Sequence, residues 1–206
     1  MGLEFLSVLV WACVSHRAPP IATFPLSVAV AEDPAGSPVT DATWLDQELD
    51  TANALFAPFG VGFTRSESKP LDGRFAHLET RDDRDALAAL LQSKVVNVFV
   101  VGSLRDVDDP SRMRHGVHWH APSGAHYVVV VAGSHESVLG HELGHFFGNP
   151  HSKVVDNVMS YERSGAAVFF DAEQGRRIKS RERAYVGAGE LVPSVAPAQP
   201  TPGSSR

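Results

Sequence analysis

Three histidines and a glutamate fall within one short stretch, His141-Glu142-Leu143-Gly144-His145-Phe146-Phe147-Gly148-Asn149-Pro150-His151. Residues four apart share a face of a helix. The imidazoles of His141 and His145 can therefore aim at one point about 2.0–2.1 Å from each, the bond length that zinc prefers. Glu142 follows along the same helix, within reach of a water held at that point. Gly148 lets the chain leave the helix through a conformation that a Cβ resists, and Pro150 keeps the helix from resuming. His151 can then swing back as a third ligand, and three neutral imidazoles leave the ion dipositive with one position open. At this histidine content the bare H-E-x-x-H string arises by chance in roughly a few per cent of chains, and the extended string in about one in ten thousand. A buried helix carrying these four residues with no cation to pair them is costly.

A second string follows at once, Asp156-Asn157-Val158-Met159-Ser160-Tyr161. With the histidines it closely resembles the metzincin clan of zinc peptidases, in which a tight turn carrying a methionine lies beneath the metal. Met159 is the matching methionine, and Tyr161 matches a tyrosine that in some members faces the metal and helps hold the reacting carbonyl. The resemblance is close from Ser134 to Tyr161 and covers the preceding strands only in their order. It implies an α/β fold: a mixed, mostly parallel five-stranded sheet with an antiparallel edge strand, an active-site helix and a C-terminal helix. It also implies a zinc-dependent metalloendopeptidase. His141, His145 and His151 hold the ion, while Glu142 takes a proton from water and returns it to the departing amine. Peptide or protein substrate is then expected as an extended strand along the sheet edge. Two other readings stay open: a catalytically idle, zinc-stabilised binding or adhesion module, and a zinc hydrolase of a non-peptide substrate. Glu142 argues against the idle module, because a purely structural zinc needs no base.

The elements that must position these residues can be read in order. Phe24 to Ala31 alternates as a strand, and Thr40 or Asp41 caps a helix to Phe56 whose apolar residues recur at helical spacing. Val61 to Arg65 reads as a strand and Ser66 to Gly73 as a loop. Thr80 with Asp83 opens a helix to Leu91, and Val95 to Val101 is an apolar run suited to a strand buried on both faces. Alternating strands and helices predict parallel pairing with helical crossovers. Gly116 to His120 and His126 to Ala132 are joined by a connection of hairpin length, so they should be antiparallel. One of His118 and Trp119 should look into the cleft. The active-site helix is expected from His135 to Phe147, opened by Ser134 and Ser137, and Ser164 to Phe170 should wall the pocket. Asp171 with Gln174 caps a last helix, basic towards its carboxyl end through Arg176, Arg177, Lys179, Arg181 and Arg183.

At 206 residues and 43% hydrophobic content the chain can bury one substantial core. A net charge of −6 without clustered Lys and Arg argues against a nucleic-acid partner. Cys13 is the only cysteine, so no internal disulfide is available. Phe5 to Val14 is too short to span a bilayer and fits the apolar part of a signal peptide, while Val10-Trp11-Ala12-Cys13 resembles a degenerate lipoprotein cleavage box. The expectation is a possible signal or lipoprotein segment at 1–20, a catalytic domain at 21–192 and a disordered Pro/Ser-rich tail at 193–206. An extracytoplasmic monomer is expected, secreted or attached to a membrane only through lipid on Cys13; a cytoplasmic protein is the alternative. One catalytic zinc is expected. Neither a second zinc at His115, His118, His120 and His126 nor a calcium at Asp106, Asp108 and Asp109 is expected from their spacing.

Overall fold

The computed structural model describes residues 21–65 and 68–194. The candidate export segment with Cys13, and the tail from residue 195, lie outside the described residues. Strand β1 (Ala22–Ala31) buries Phe24, Leu26, Val28 and Val30 and leaves the residues between them half-buried, the alternation a strand over a core produces. Helix α1 (Ala42–Phe56) starts where the Asp41 carboxylate accepts the N–H of Trp44, and it turns Leu45, Ala52, Leu55 and Phe56 inward. Strand β2 (Val61–Arg65) returns parallel to the first half of β1, and β3 (Lys69–Leu71) lies parallel to its second half. The expected loop at Ser66–Gly73 thus contains a strand. Three residues carry no alternation to read, and Pro70 fits there because at an edge its missing N–H costs no ladder bond.

After β4 (His77–Leu78) comes helix α2 (Arg81–Ala86), opened by reciprocal capping between Thr80 and Asp83 and continued by a tighter turn at Leu87–Leu90. Strand β5 (Val96–Val101) is buried at every position, as the unbroken apolar run predicts. Strand β6 (Ser103–Leu104) pairs with β4, and β7 (Gly116–His120) and β8 (His126–Val131) form the antiparallel hairpin. Helices α3 (Val138–Phe146) and α4 (Ala172–Gly187) complete the chain. The main sheet has the order β2-β1-β5-β8-β7, with β3 also beside β1. It holds six strands rather than five, and every pairing is parallel except β7 with β8. A mixed, mostly parallel sheet with an antiparallel edge strand is therefore the architecture. Among the described residues no helix is long and apolar enough to cross a membrane.

Each face of the sheet carries its own core. On one face α1 and α3 pack over Leu26, Val98, Val128 and Val130, joined by the rings of Phe56, Phe63, Phe147 and Phe170. On the other, Phe99, Val129 and Tyr127 meet Phe75, Leu78, Leu87 and Leu104. Burying each such side chain contributes about 1.5–3 kcal/mol. Helix α4 runs on to Gly187, past the arginines expected at its end, so no basic side chain stands in its last turn. The helix continues because the Tyr185 ring packs on Phe146 and its hydroxyl donates to the Phe146 carbonyl.

Candidate metal centre

Helix α3 is short and begins at Val138, three residues after the expected start. Its serines do not cap it: Ser137 makes no side-chain cap bond, and the Ser134 carbonyl accepts the Trp44 indole N–H instead. The cap comes from another element. Glu48 of α1, only 1% exposed, accepts the N–H of Leu139 at 2.9 Å. Burial pushes the Glu48 carboxyl up to about 7; the Leu139 N–H opposes that rise and the charge of Glu136 adds to it.

The far end of α3 shows why the glycines are there. Gly148 has φ +82°, and its N–H donates to the His145 carbonyl while the Asn149 N–H donates to the Gly144 carbonyl. This pair of bonds is the Schellman ending, which a left-handed residue closes. Gly144 answers a close approach: a Cβ there would lie 2.4 Å from the Met159 sulfur and 3.1 Å from the Phe170 ring.

The chain turned back by that ending brings the three histidines together. His141 Nδ1–H donates to the Val158 carbonyl at 2.7 Å, and His145 Nδ1–H to the Asn149 carbonyl at 2.8 Å. Each bond fixes a tautomer that leaves Nε2 as a lone pair. His145 Nε2 lies 3.1 Å from His151 Nε2, and one donor atom from each of the three residues lies within 4.8 Å of the others. Two ligands bonded tetrahedrally to zinc at about 2.0–2.1 Å stand about 3.3 Å apart, so this spacing fits the ion. Burial holds the imidazoles of His141 and His145 down to about 4, and His151 is lowered by the same cause. All three are then neutral at physiological pH, the form that binds metal.

The segment from 152 to 170 supplies the other side of the centre. Met159 is fully buried beneath α3, and the carbonyl before it is the one that orients His141. The Tyr161 side chain is exposed, with its hydroxyl 2.8 Å from His151 Nε2. This segment is held by polar groups that sequence reading missed. Asn157 accepts the Met159 N–H and exchanges two bonds with the Gln174 amide, at 2.8 and 3.0 Å, so the residue that caps α4 also anchors the turn. Arg163 donates to the carbonyls of Asn157, Val158 and Ser160. Seventeen residues separate Asn157 from Gln174, and no periodic signal links them.

Glu142 is buried, and burial pushes its carboxyl up to about 8, opposed by the His118 backbone N–H and by the charge of Arg114. It shares a cavity of about 1210 Å³ with His141, His151 and Tyr161, walled by Gly165–Val168 as expected of that segment. The edge strand presses close here: a Cβ on Gly116 would lie 2.7 Å from Glu142 Cγ. Arg114, paired with the buried Asp106 at 2.5 Å, lines the same space. Asp106 also accepts the N–H groups of Asp108 and Asp109, so it organises a turn in the stretch considered for calcium. Neither His118 nor Trp119 is among the residues lining the Glu142 cavity. The Trp119 indole donates to Asp85 on the far face, and His118 opens on a second cavity that reaches His145 from the other side.

No protein-family model matches this sequence, and no curated protein matches it. Solved structures do match in fold. Metalloproteinase-II from Bacteroides fragilis superposes with a TM-score of 0.52 at 15% identity, over 81% of this chain and 55% of that one. Archaemetzincin from Methanopyrus kandleri superposes with a TM-score of 0.52 at 16% identity, over 81% of this chain and 99% of that one. This chain thus spans just over half the length of the first and nearly all of the second; it shares their fold, and its own three histidines cluster within that fold.

Proposed function

We propose that this chain is a zinc-dependent endopeptidase of the metzincin type. One observation carries the reading: two imidazoles have Nδ1 committed to backbone carbonyls, a third stands 3.1 Å from one of them, and a buried glutamate shares a cavity with His141 and His151. The metalloproteinase fold of the structural neighbours supports it.

His141, His145 and His151 would hold a zinc ion, which would supply Lewis acidity for lowering the pKa of a water and polarising a carbonyl. Glu142, whose carboxyl holds its proton more tightly than an exposed one, takes a proton from water and delivers it to the departing amine. Burial causes that tighter hold, and the charge of Arg114 opposes it and leaves the carboxyl at about 8, so the group can move a proton both ways near neutral pH. Tyr161 is exposed enough to turn from His151 and donate its hydroxyl to the carbonyl oxygen as charge develops there. Strand β7 ends the sheet order, and its outer edge suits an extended peptide added as one more strand. The apolar run Phe5 to Val14 favours a secreted or lipid-anchored protein, and with Cys13 its one cysteine such a protein would be held together by its core and its ion.

The test is digestion of casein and of a random peptide library, with and without a chelator. Glu142→Ala should bind zinc as the wild type does and lose about 10²–10⁴ of turnover. A wild-type protein that binds zinc tightly and cleaves no library member would restore the idle-module reading.

A further inference from the structure

A second group of histidines lies on the hairpin, on the sheet face that α3 covers. His118 and His120 are two apart on β7, so they share a face, and His126 on β8 is registered directly opposite His120. Their ring centroids are 4.5, 5.1 and 5.4 Å apart. The rings of His141, His145 and His151 are 4.8, 4.6 and 5.4 Å apart. The two triangles are nearly the same size.

The donor atoms carry the likeness further. His118 Nε2 stands 2.8 Å from His126 Nδ1, beside 3.1 Å for the pair at the first centre. His126 Nε2–H donates to the Glu190 carboxylate. That bond fixes the tautomer and leaves Nδ1 as the lone pair facing His118, the arrangement in which a carboxylate orients a metal-binding imidazole. All four side chains line one cavity of about 890 Å³.

We propose that His118, His120 and His126 form a second zinc site, with Glu190 orienting His126. The pair at 2.8 Å is in place. His120 completes it by turning, because among the described residues only His141, His145 and His151 have three donor atoms within 4.8 Å of one another. The turn is cheap: His120 is exposed, and among the described residues no side-chain hydrogen bond holds it. One hydrogen lies between His118 Nε2 and His126 Nδ1, on His118; as the ion binds, His118 changes tautomer so that its hydrogen sits on Nδ1, and both facing lone pairs go to the ion while every imidazole stays neutral. Neutral imidazoles favour zinc over calcium or magnesium. The site reverses the expectation of a single ion, which rested on spacing along the chain and could not show the register across the hairpin. An ion there ties the edge strand to the segment after α4, through Glu190.

The test is zinc per chain, measured by mass spectrometry on full-length protein equilibrated with zinc and desalted. Two ions are expected in the wild type, and one each in His118→Ala/His126→Ala and His141→Ala/His145→Ala. Glu190→Gln, which leaves every ligand in place, should weaken the second ion about 10–100-fold in a chelator competition. That variant keeps the test open if the double histidine variant fails to fold. One ion in the wild type that is lost in His141→Ala/His145→Ala would overturn the proposal. So would two ions that persist in His118→Ala/His126→Ala, or a second affinity unmoved by Glu190→Gln. A single ion that survives His141→Ala/His145→Ala would support this site and count against the first centre. The readout is a metal count, so a failure to cleave peptides leaves it unaffected.

Discussion

Helix α3 and the segment from 152 to 170 face each other across the candidate metal centre and are held by opposite means. The helix places His141 and His145 by repetition, one turn apart, and its ends are closed by backbone bonds and by Glu48. The segment has no helix or strand, only an isolated bridge between Asn157 and Phe169. Scattered backbone bonds and single polar side chains hold it: Asn157 with Gln174, Arg163 on four carbonyls, and Asp156 on the Ser164 N–H. A helix tolerates the loss of one bond because its neighbours repeat it, whereas a one-off buried bond has no substitute. The irregular side should therefore be the more fragile support of the centre.

Asn157→Ala breaks that side most directly. It strands the Gln174 amide and the Met159 N–H in the interior, at about 1–3 kcal/mol for each unpaired group. The melting temperature should fall by roughly 4–24 °C. Zinc should also bind more weakly, because the Val158 carbonyl that orients His141 belongs to the same turn. Thermal melts with and without zinc measure both. A change within error in each would show that the turn holds without its amide pair.

Gly144→Ala tests the contact between the two regions and should have a smaller effect. The new Cβ would meet the Met159 sulfur at 2.4 Å, and overpacking of this kind costs about 1–3 kcal/mol. About 1 kcal/mol returns through better helix propensity, so a net loss of up to about 2 kcal/mol is expected. In a Met159→Ala background the same change should turn neutral or stabilising. Equal costs in the two backgrounds, read from chemical denaturation, would place the strain elsewhere.

The same contrast explains what the sequence could and could not tell. The ligand helix, the α4 capping box and the β7–β8 hairpin were legible because each repeats a period or uses a local cap. Strand β3 was too short to show a pattern, and the Asn157–Gln174 pair joins two elements across a gap with no rule to bridge it. The start of α3 was misplaced because Ser134 and Ser137 look like caps, while the group that does the capping is on another helix. A signal did exist. Glu48 stands on the apolar stripe of α1, between Leu45 and Ala52, where a carboxyl needs a buried partner.

That glutamate carries the smallest effect, and it asks how far the regular side depends on a charge. The folded protein raises the Glu48 carboxyl to about 7 from an ordinary 4.5, because burial outweighs the bond from Leu139, and its Oε1 has no hydrogen-bond partner among the described residues. The folded state therefore keeps a proton that the unfolded chain gives up. A raised acid stabilises fully below pH 4.5, and that contribution is lost as pH rises through about 7. The whole shift corresponds to at most about 3 kcal/mol, and on the order of 1–2 kcal/mol after relaxation of the site. Glu48→Gln keeps an oxygen for the Leu139 N–H and removes the titration. It should melt about 2–8 °C above the wild type at pH 8 and no higher than it at pH 5. An offset that is the same at both values would mean that Glu48 does not change protonation between them. The N-terminus of α3 would then rest on a permanent carboxylate, and the helix would depend on a one-off polar contact as much as the segment it faces.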